Sequence, residues 1–134
     1  MTRRLDTAGA IRVAAMRETL RAFLRESELI ARANGLTPQR HLLLLMVKGS
    51  PDGSERSSVT ELAARLRLAQ TTVTDLVARA ERAGLIEREQ SPDDARVTLL
   101  RLTAEGERRL AASVQDHATE RRRLRELLRT LVEE

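Results

Sequence analysis

The segment Gln70-Thr71-Thr72-Val73-Thr74-Asp75 gathers short hydroxyl, amide and carboxylate side chains, with Arg79 and Arg82 following at helical spacing. On one face of a helix such groups can hydrogen-bond the edges of bases, and arginines beyond them suit phosphate oxygens. Asp75 and Arg79 also form an i,i+4 pair, worth about 0.2 to 0.5 kcal/mol to an isolated helix. A second constellation, Asp94-Ala95-Arg96, follows Ser91-Pro92 in a polar turn. There a carboxylate two residues before a guanidinium can orient it without removing its reach. The two histidines, His41 and His117, are far apart and have no recognisable acid or metal partner motif. There is no Cys nucleophile and no Gly-rich phosphate loop, so the pattern argues against an enzyme, and neither cofactor nor metal is expected. His41 reads as a half-buried residue beside an apolar run.

These groups need elements to hold them. Residues 8–33 contain no Pro, and Val13, Met16, Leu20, Phe23 and Ile30 recur at three- and four-residue steps, which predicts a long helix with one apolar stripe. Asn34-Gly35 stops it through left-handed conformations, and Thr37-Pro38 starts a second helix over 38–48. The run Leu42-Leu43-Leu44-Leu45-Met46-Val47 makes that helix apolar all round, the signature of a central core element. After the turn-rich loop 49–54, Ser58-Val59-Thr60-Glu61 is a capping box opening a short helix to Leu66. Gln70 to Ala83 forms the next helix, with Val73, Leu76, Val77 and Ala80 inward and Thr71, Thr74, Asp75, Ala78 and Arg82 outward. Gly84 closes it. The period then changes to two, so 86–90 and 96–102 predict an antiparallel hairpin tipped by Ser91-Pro92-Asp93-Asp94-Ala95. Thr103 caps a final helix in which Leu110, Val114, His117, Arg121, Leu124, Leu128 and Leu131 keep four-three spacing, enough for one helix of about 45 Å. In it His117 and Arg121 interrupt the apolar seam, setting register or reaching past the edge of a dimer contact. Arg121-Arg122-Arg123, flanked by Glu120 and Glu126, reads as a solvated face.

Composition sets the bounds. The chain has 134 residues, 41% apolar and 33% charged, with a net charge of +4 and no cysteine. One domain fits this length. Disulfides, thiolate zinc sites, iron–sulfur clusters and cysteine peroxide sensing are all excluded. No apolar run approaches a membrane span and no secretion-signal pattern opens the sequence, so no membrane association and a cytoplasmic location are expected. Residues 1–35 hold seven basic and four acidic groups and residues 57–103 hold seven of each, so charge alone locates no site.

Two short helices at a tight turn, the second with hydroxyls outward, followed by a hairpin with a basic tip, make a mainly α winged helix-turn-helix with a small β-hairpin wing. A major groove admits one helix whose outward residues reach base edges, and the adjacent hairpin can place an Arg in a minor groove. Leu36-Thr37-Pro38-Gln39, Thr60-Glu61-Leu62-Ala63, Gln70-Thr71-Thr72-Val73-Thr74, Ala83-Gly84-Leu85-Ile86-Glu87-Arg88, Pro92-Asp93-Asp94-Ala95-Arg96 and Leu102-Thr103-Ala104-Glu105-Gly106 follow in an order that resembles the MarR family of transcriptional regulators. The similarity covers about residues 10 to 110.

The resemblance implies a homodimer on double-stranded DNA whose first and last helices, 8–35 and 104–134, form the interface, with 36–103 as the DNA-binding winged helix. It also implies that Asp94 and Arg96 pair to set the wing on the minor groove, and that a small-molecule effector pocket lies between the two parts. With one Phe and no Trp or Tyr, however, an aromatic stacking pocket is poorly supported. The sequence departs from the family pattern at Ala69, where a capping Ser or Thr is usual, at Asp75, where basic or neutral residues are common, in a longer 49–57 loop and in a shorter segment after Thr103.

The expected DNA-binding residues are Ser58, Gln70, Thr71, Thr72, Thr74, Asp75, Arg79, Arg88, Asp94 and Arg96. Asp75 either accepts from a cytosine amino group or discourages phosphate. The expected dimer contacts are Val13, Met16, Leu20, Phe23, Leu110, Val114, Leu124, Leu128 and Leu131. The function expected is a sequence-specific regulator, a repressor on a palindromic operator. The alternative is a winged-helix module that binds protein instead, because fold alone does not fix function.

Overall fold

The computed structural model describes residues 3–133; the side chain of Leu131 lies outside the described residues. The elements are α1 (Thr7–Ala33), α2 (Pro38–Lys48), α3 (Val59–Leu66), α4 (Gln70–Arg82), β1 (Ile86–Gln90), β2 (Thr98–Leu102), α5 (Ala104–Asp116) and α6 (Ala118–Glu133). Among the described residues no helix is long and apolar enough to cross a membrane.

Local chemistry explains the starts of these helices. Asp6, Thr37, Ser58 and Thr103 each sit in extended backbone and accept a bond from the amide three residues on, satisfying a first-turn N–H with no partner inside its helix. Ser58 differs in one respect from the reciprocal capping box. Its hydroxyl accepts from the Glu61 amide at 3.2 Å and donates to the Glu61 carboxylate at 3.1 Å.

Helix ends depart further from expectation. Asn34 stays at φ −100°, so only Gly35, at φ 76°, takes the left-handed region. The Asn34 side chain instead donates to Ile30 O and to the Asp116 carboxylate, which ties the end of α1 to α5. α3 ends on Arg67 in the left-handed region, at φ 56° and ψ 46°, although the residue is not a glycine. The single C-terminal helix is broken at His117 (φ −95°, ψ 10°) into α5 and α6.

The core joins Leu36, Leu43, Leu44, Val47, Leu62, Val73, Val77, Leu85, Leu100 and Leu102 from α2, α3, α4, the sheet and the turns between them. α2 touches α1, α3, α4, α5 and β2, as a central helix should. It is not buried all round, however. Leu42 and Leu45 remain 42% and 39% exposed, because the side they share faces an open cavity. β1 and β2 pair antiparallel from Ile86 with Leu102 to Gln90 with Thr98. On the other side of β2, Ser57 exchanges two backbone bonds with Leu100, at 3.2 and 2.8 Å, adding a one-residue third rung.

Candidate nucleic-acid interface

The left-handed Arg67 turns the chain sharply between α3 and α4, and the two helices pack on each other. Val73, Val77 and Ala80 enter the core. Gln70, Thr71, Thr72, Thr74, Asp75, Arg79 and Arg82 are all exposed, and helical geometry sets Thr71, Asp75 and Arg82 opposite the core. Ala69 caps α4 with no side-chain bond, as its methyl group requires. The structure brings Asp75 and Arg79 together, with carboxylate and guanidinium 3.1 Å apart.

Other predicted residues are engaged elsewhere. Ser58 spends its hydroxyl on the α3 cap. Arg88 bonds Glu81 at 2.8 Å, so it braces β1 against the last turns of α4 and is not gathered with the wing tip.

In the wing, Ser91 N–H donates to Val97 O at 2.9 Å, and the Ser91 hydroxyl accepts from the Asp93 and Asp94 amides. Asp94 then receives three bonds from Arg96, from the amide at 3.0 Å and the guanidinium at 3.1 and 3.2 Å. The Arg96 guanidinium foremost, and its amide second, hold the Asp94 carboxyl below the usual carboxylate range. The Arg96 side chain is nevertheless 90% exposed. It is aimed by its partner without being covered.

Sequence reasoning missed the ionic ladder at the wing stem. Glu87 bonds Arg101 at 2.8 Å, and Glu89 takes both Arg101 and Arg56. The first pair lies directly across the hairpin register, so the alternation of charges carried that signal. Arg56 belongs to a loop, and no periodicity announces it. Arg65 was missed too: its guanidinium donates to the carbonyls of Met46 and Gly49, satisfying the C-terminal end of α2.

The terminal helices carry the other expected residues. Val13, Leu20 and Leu128 are exposed, Met16, Phe23 and Leu124 half-buried, and Val114 packs against the core. Leu110 differs from expectation: it is 4% exposed and belongs to the core of its own chain. His117 differs as well, since it is buried instead of reaching outward.

The MarR family model matches residues 34–97, which run from the end of α1 through the wing turn. The family model, the curated relative and the solved structures all support a MarR family regulator. It is 34% identical over 79 residues to the transcriptional regulator HosA of Escherichia coli O111:H-, a match covering 59% of this chain and 56% of that protein. The chain thus spans little more than half the length of that curated relative. Among solved structures, AbsC, a MarR family transcriptional regulator from Streptomyces coelicolor, superposes with a TM-score of 0.73 at 23% identity, covering 92% of this chain and 82% of its own. Sco3205, a MarR family regulator of the same organism solved in complex with DNA, gives a TM-score of 0.73 at 24% identity, over 99% of this chain and 86% of its own. These two likenesses establish the winged-helix fold.

Proposed function

We propose that this MarR-family chain is a sequence-specific regulator, a repressor, that binds a palindromic double-stranded DNA operator as a homodimer in the cytoplasm. In this reading α4 enters the major groove, where Thr71 and Thr74 reach base edges, and the wing, residues 86–102, places Arg96 at the minor groove. The observation that carries it is the pairing of an uncovered polar face on α4 with a projecting, carboxylate-aimed Arg96 on the adjoining hairpin. The DNA complex of Sco3205 supports the same use of the fold. No catalytic role is assigned to any residue.

The exposed apolar side chains of α1 and α6 support dimerisation, since each buried Leu gains about 1.5 to 3 kcal/mol. Leu124→Glu with Leu128→Glu should give monomers in sedimentation, and an unchanged dimer would remove α6 from the interface.

A cavity of about 350 Å³ among α1, α2 and the α5–α6 junction suits a small-molecule effector, being within the usual range of about 300 to 1,000 Å³. Its walls include Leu24, Leu42, Leu45 and Val114, together with the rings of Phe23, His41 and His117, so histidines supply the aromatic surface that one Phe alone could not. His117 lines the cavity, while its Nε2 is buried and has no hydrogen-bond partner among the described residues.

Selection of bound sequences from random DNA tests the main reading. Enrichment of a palindrome supports it, whereas no enrichment together with retained folding favours a protein-binding wing.

A further inference from the structure

The outward face of α4 is not uniform. Successive residues turn by about 100°, so Thr71, Asp75 and Arg82 stand on the ridge opposite Val73, Val77 and Ala80, while Arg79 lies on its flank one turn beyond Asp75. The ridge that would enter a groove deepest therefore carries a carboxylate. Alone, it would face the field of two phosphate backbones. Arg79 changes that, because its Nη2 lies 3.1 Å from Asp75 Oδ2 and the pair is formally neutral. Among the described residues Asp75 Oδ1 has no protein partner, and the Arg79 guanidinium has donors to spare.

We infer that Asp75 and Arg79 act as one reading unit for a single G·C base pair in each half-site. The inference rests on the proposed DNA-binding role and goes beyond it by naming the base pair. Across the major-groove edge, G·C presents two acceptors on guanine, N7 and O6, and then the cytosine N4 donor. The linked side chains offer the complement, guanidinium donors beside a free carboxylate oxygen. An A·T pair presents acceptor, donor, acceptor, so its adenine amino group would meet a guanidinium donor and its thymine O4 would meet the carboxylate. Either clash leaves a polar group unsatisfied in the interface. Asp75 thus holds Arg79 on the base edge and away from the phosphates.

The test combines selection from random DNA with affinity titrations for the wild type, Asp75→Asn, Arg79→Gln and the double variant. Thermal melts serve as a folding control, and both residues are exposed. The wild type should enrich G·C at one symmetry-related position per half-site. Each single variant should lose the preference at that same position, roughly 5- to 150-fold, and the double variant should be no worse than the weaker single one. Relaxation at two different positions, additive losses, or tighter binding of Asp75→Asn with an unchanged consensus would overturn the unit, the last because Asp75 would then only repel phosphate. If Arg79→Gln alone relaxes the position, Arg79 reads it without Asp75 and the unit is again overturned. A folded wild type that enriches no sequence would overturn the DNA-binding reading itself, and the unit with it.

Discussion

The ring of Phe23 on α1 lies 4.5 Å, centroid to centroid, from the ring of His117 at the α5–α6 junction, with the two planes inclined by 41°. This contact joins the N-terminal helix to the break in the C-terminal one. It also closes one side of the cavity that His41 enters from α2.

That setting gives stability a pH dependence. Burial first, and the neighbouring His117 second, hold the His41 imidazole below its ordinary value of 6.5. In the unfolded chain His41 takes up a proton near the ordinary value, and in the folded chain only at lower pH. Between the two the unfolded state binds more protons, so stability is greatest above about 6.5 and falls as the pH drops toward the folded value. His117, Glu28 and Arg121 share the cavity wall. The urea midpoint should be lower at about pH 5.5 than at about pH 7.5, and His41→Gln should flatten the difference. The depressed carboxyls of Asp94 and Glu105 act in a separate window, below their ordinary values of 3.8 and 4.5.

Gly106 should resist substitution. A Cβ there would run into the Leu85 carbonyl oxygen, which is backbone and cannot swing aside. Alanine gains about 1 kcal/mol of intrinsic helix propensity in a helix interior, and less in the first turn, against about 1 to 3 kcal/mol for overpacking. Gly106→Ala should therefore lower the denaturation midpoint, and a higher midpoint would mean that α5 moves off the turn without cost.

Ala69 offers the opposite case. It already has extended backbone, at φ −64° and ψ 147°, but no side chain to meet the Thr72 amide. Ala69→Ser supplies a hydroxyl in that position and should stabilise the protein by about 1 kcal/mol in chemical denaturation. An unchanged midpoint would show that water or a neighbour already serves the amide.

Arg96→Ala separates wing contact from wing folding. The side chain is 90% exposed, so the melting temperature should move little. Operator affinity at low salt should fall, and the slope of log affinity against log salt should decrease by about one unit. Parallel slopes and equal affinities would remove the wing from the DNA.

The legible parts of this fold are those governed by local chemistry. Thr37-Pro38, Ser58, Thr103 and Gly84 mark boundaries because each satisfies or ends a helix terminus through its own side chain or φ angle. The hydroxyl face of α4 follows from period alone. The break at His117 was not legible, because four-three spacing runs through it unchanged. Its partners, Phe23 on α1 and the Asn34–Asp116 bond nearby, are distant in sequence. Nor does the run from Leu42 to Val47 reveal that α2 turns two leucines toward a cavity, since apolar residues look alike whether they face a neighbour or a void. Ser57 pairs through one rung only, too short for any period to show.

Thr103 donates through its hydroxyl to Gly84 O at 2.6 Å and through its amide to Leu85 O at 3.0 Å, while α5 begins at the next residue. The carboxyl end of α4 and the amino end of α5 are therefore pinned to one two-residue hinge plate, with no slack chain between them. The start of α5 thus leans on the same turn that ends the helix carrying Thr71 and Asp75.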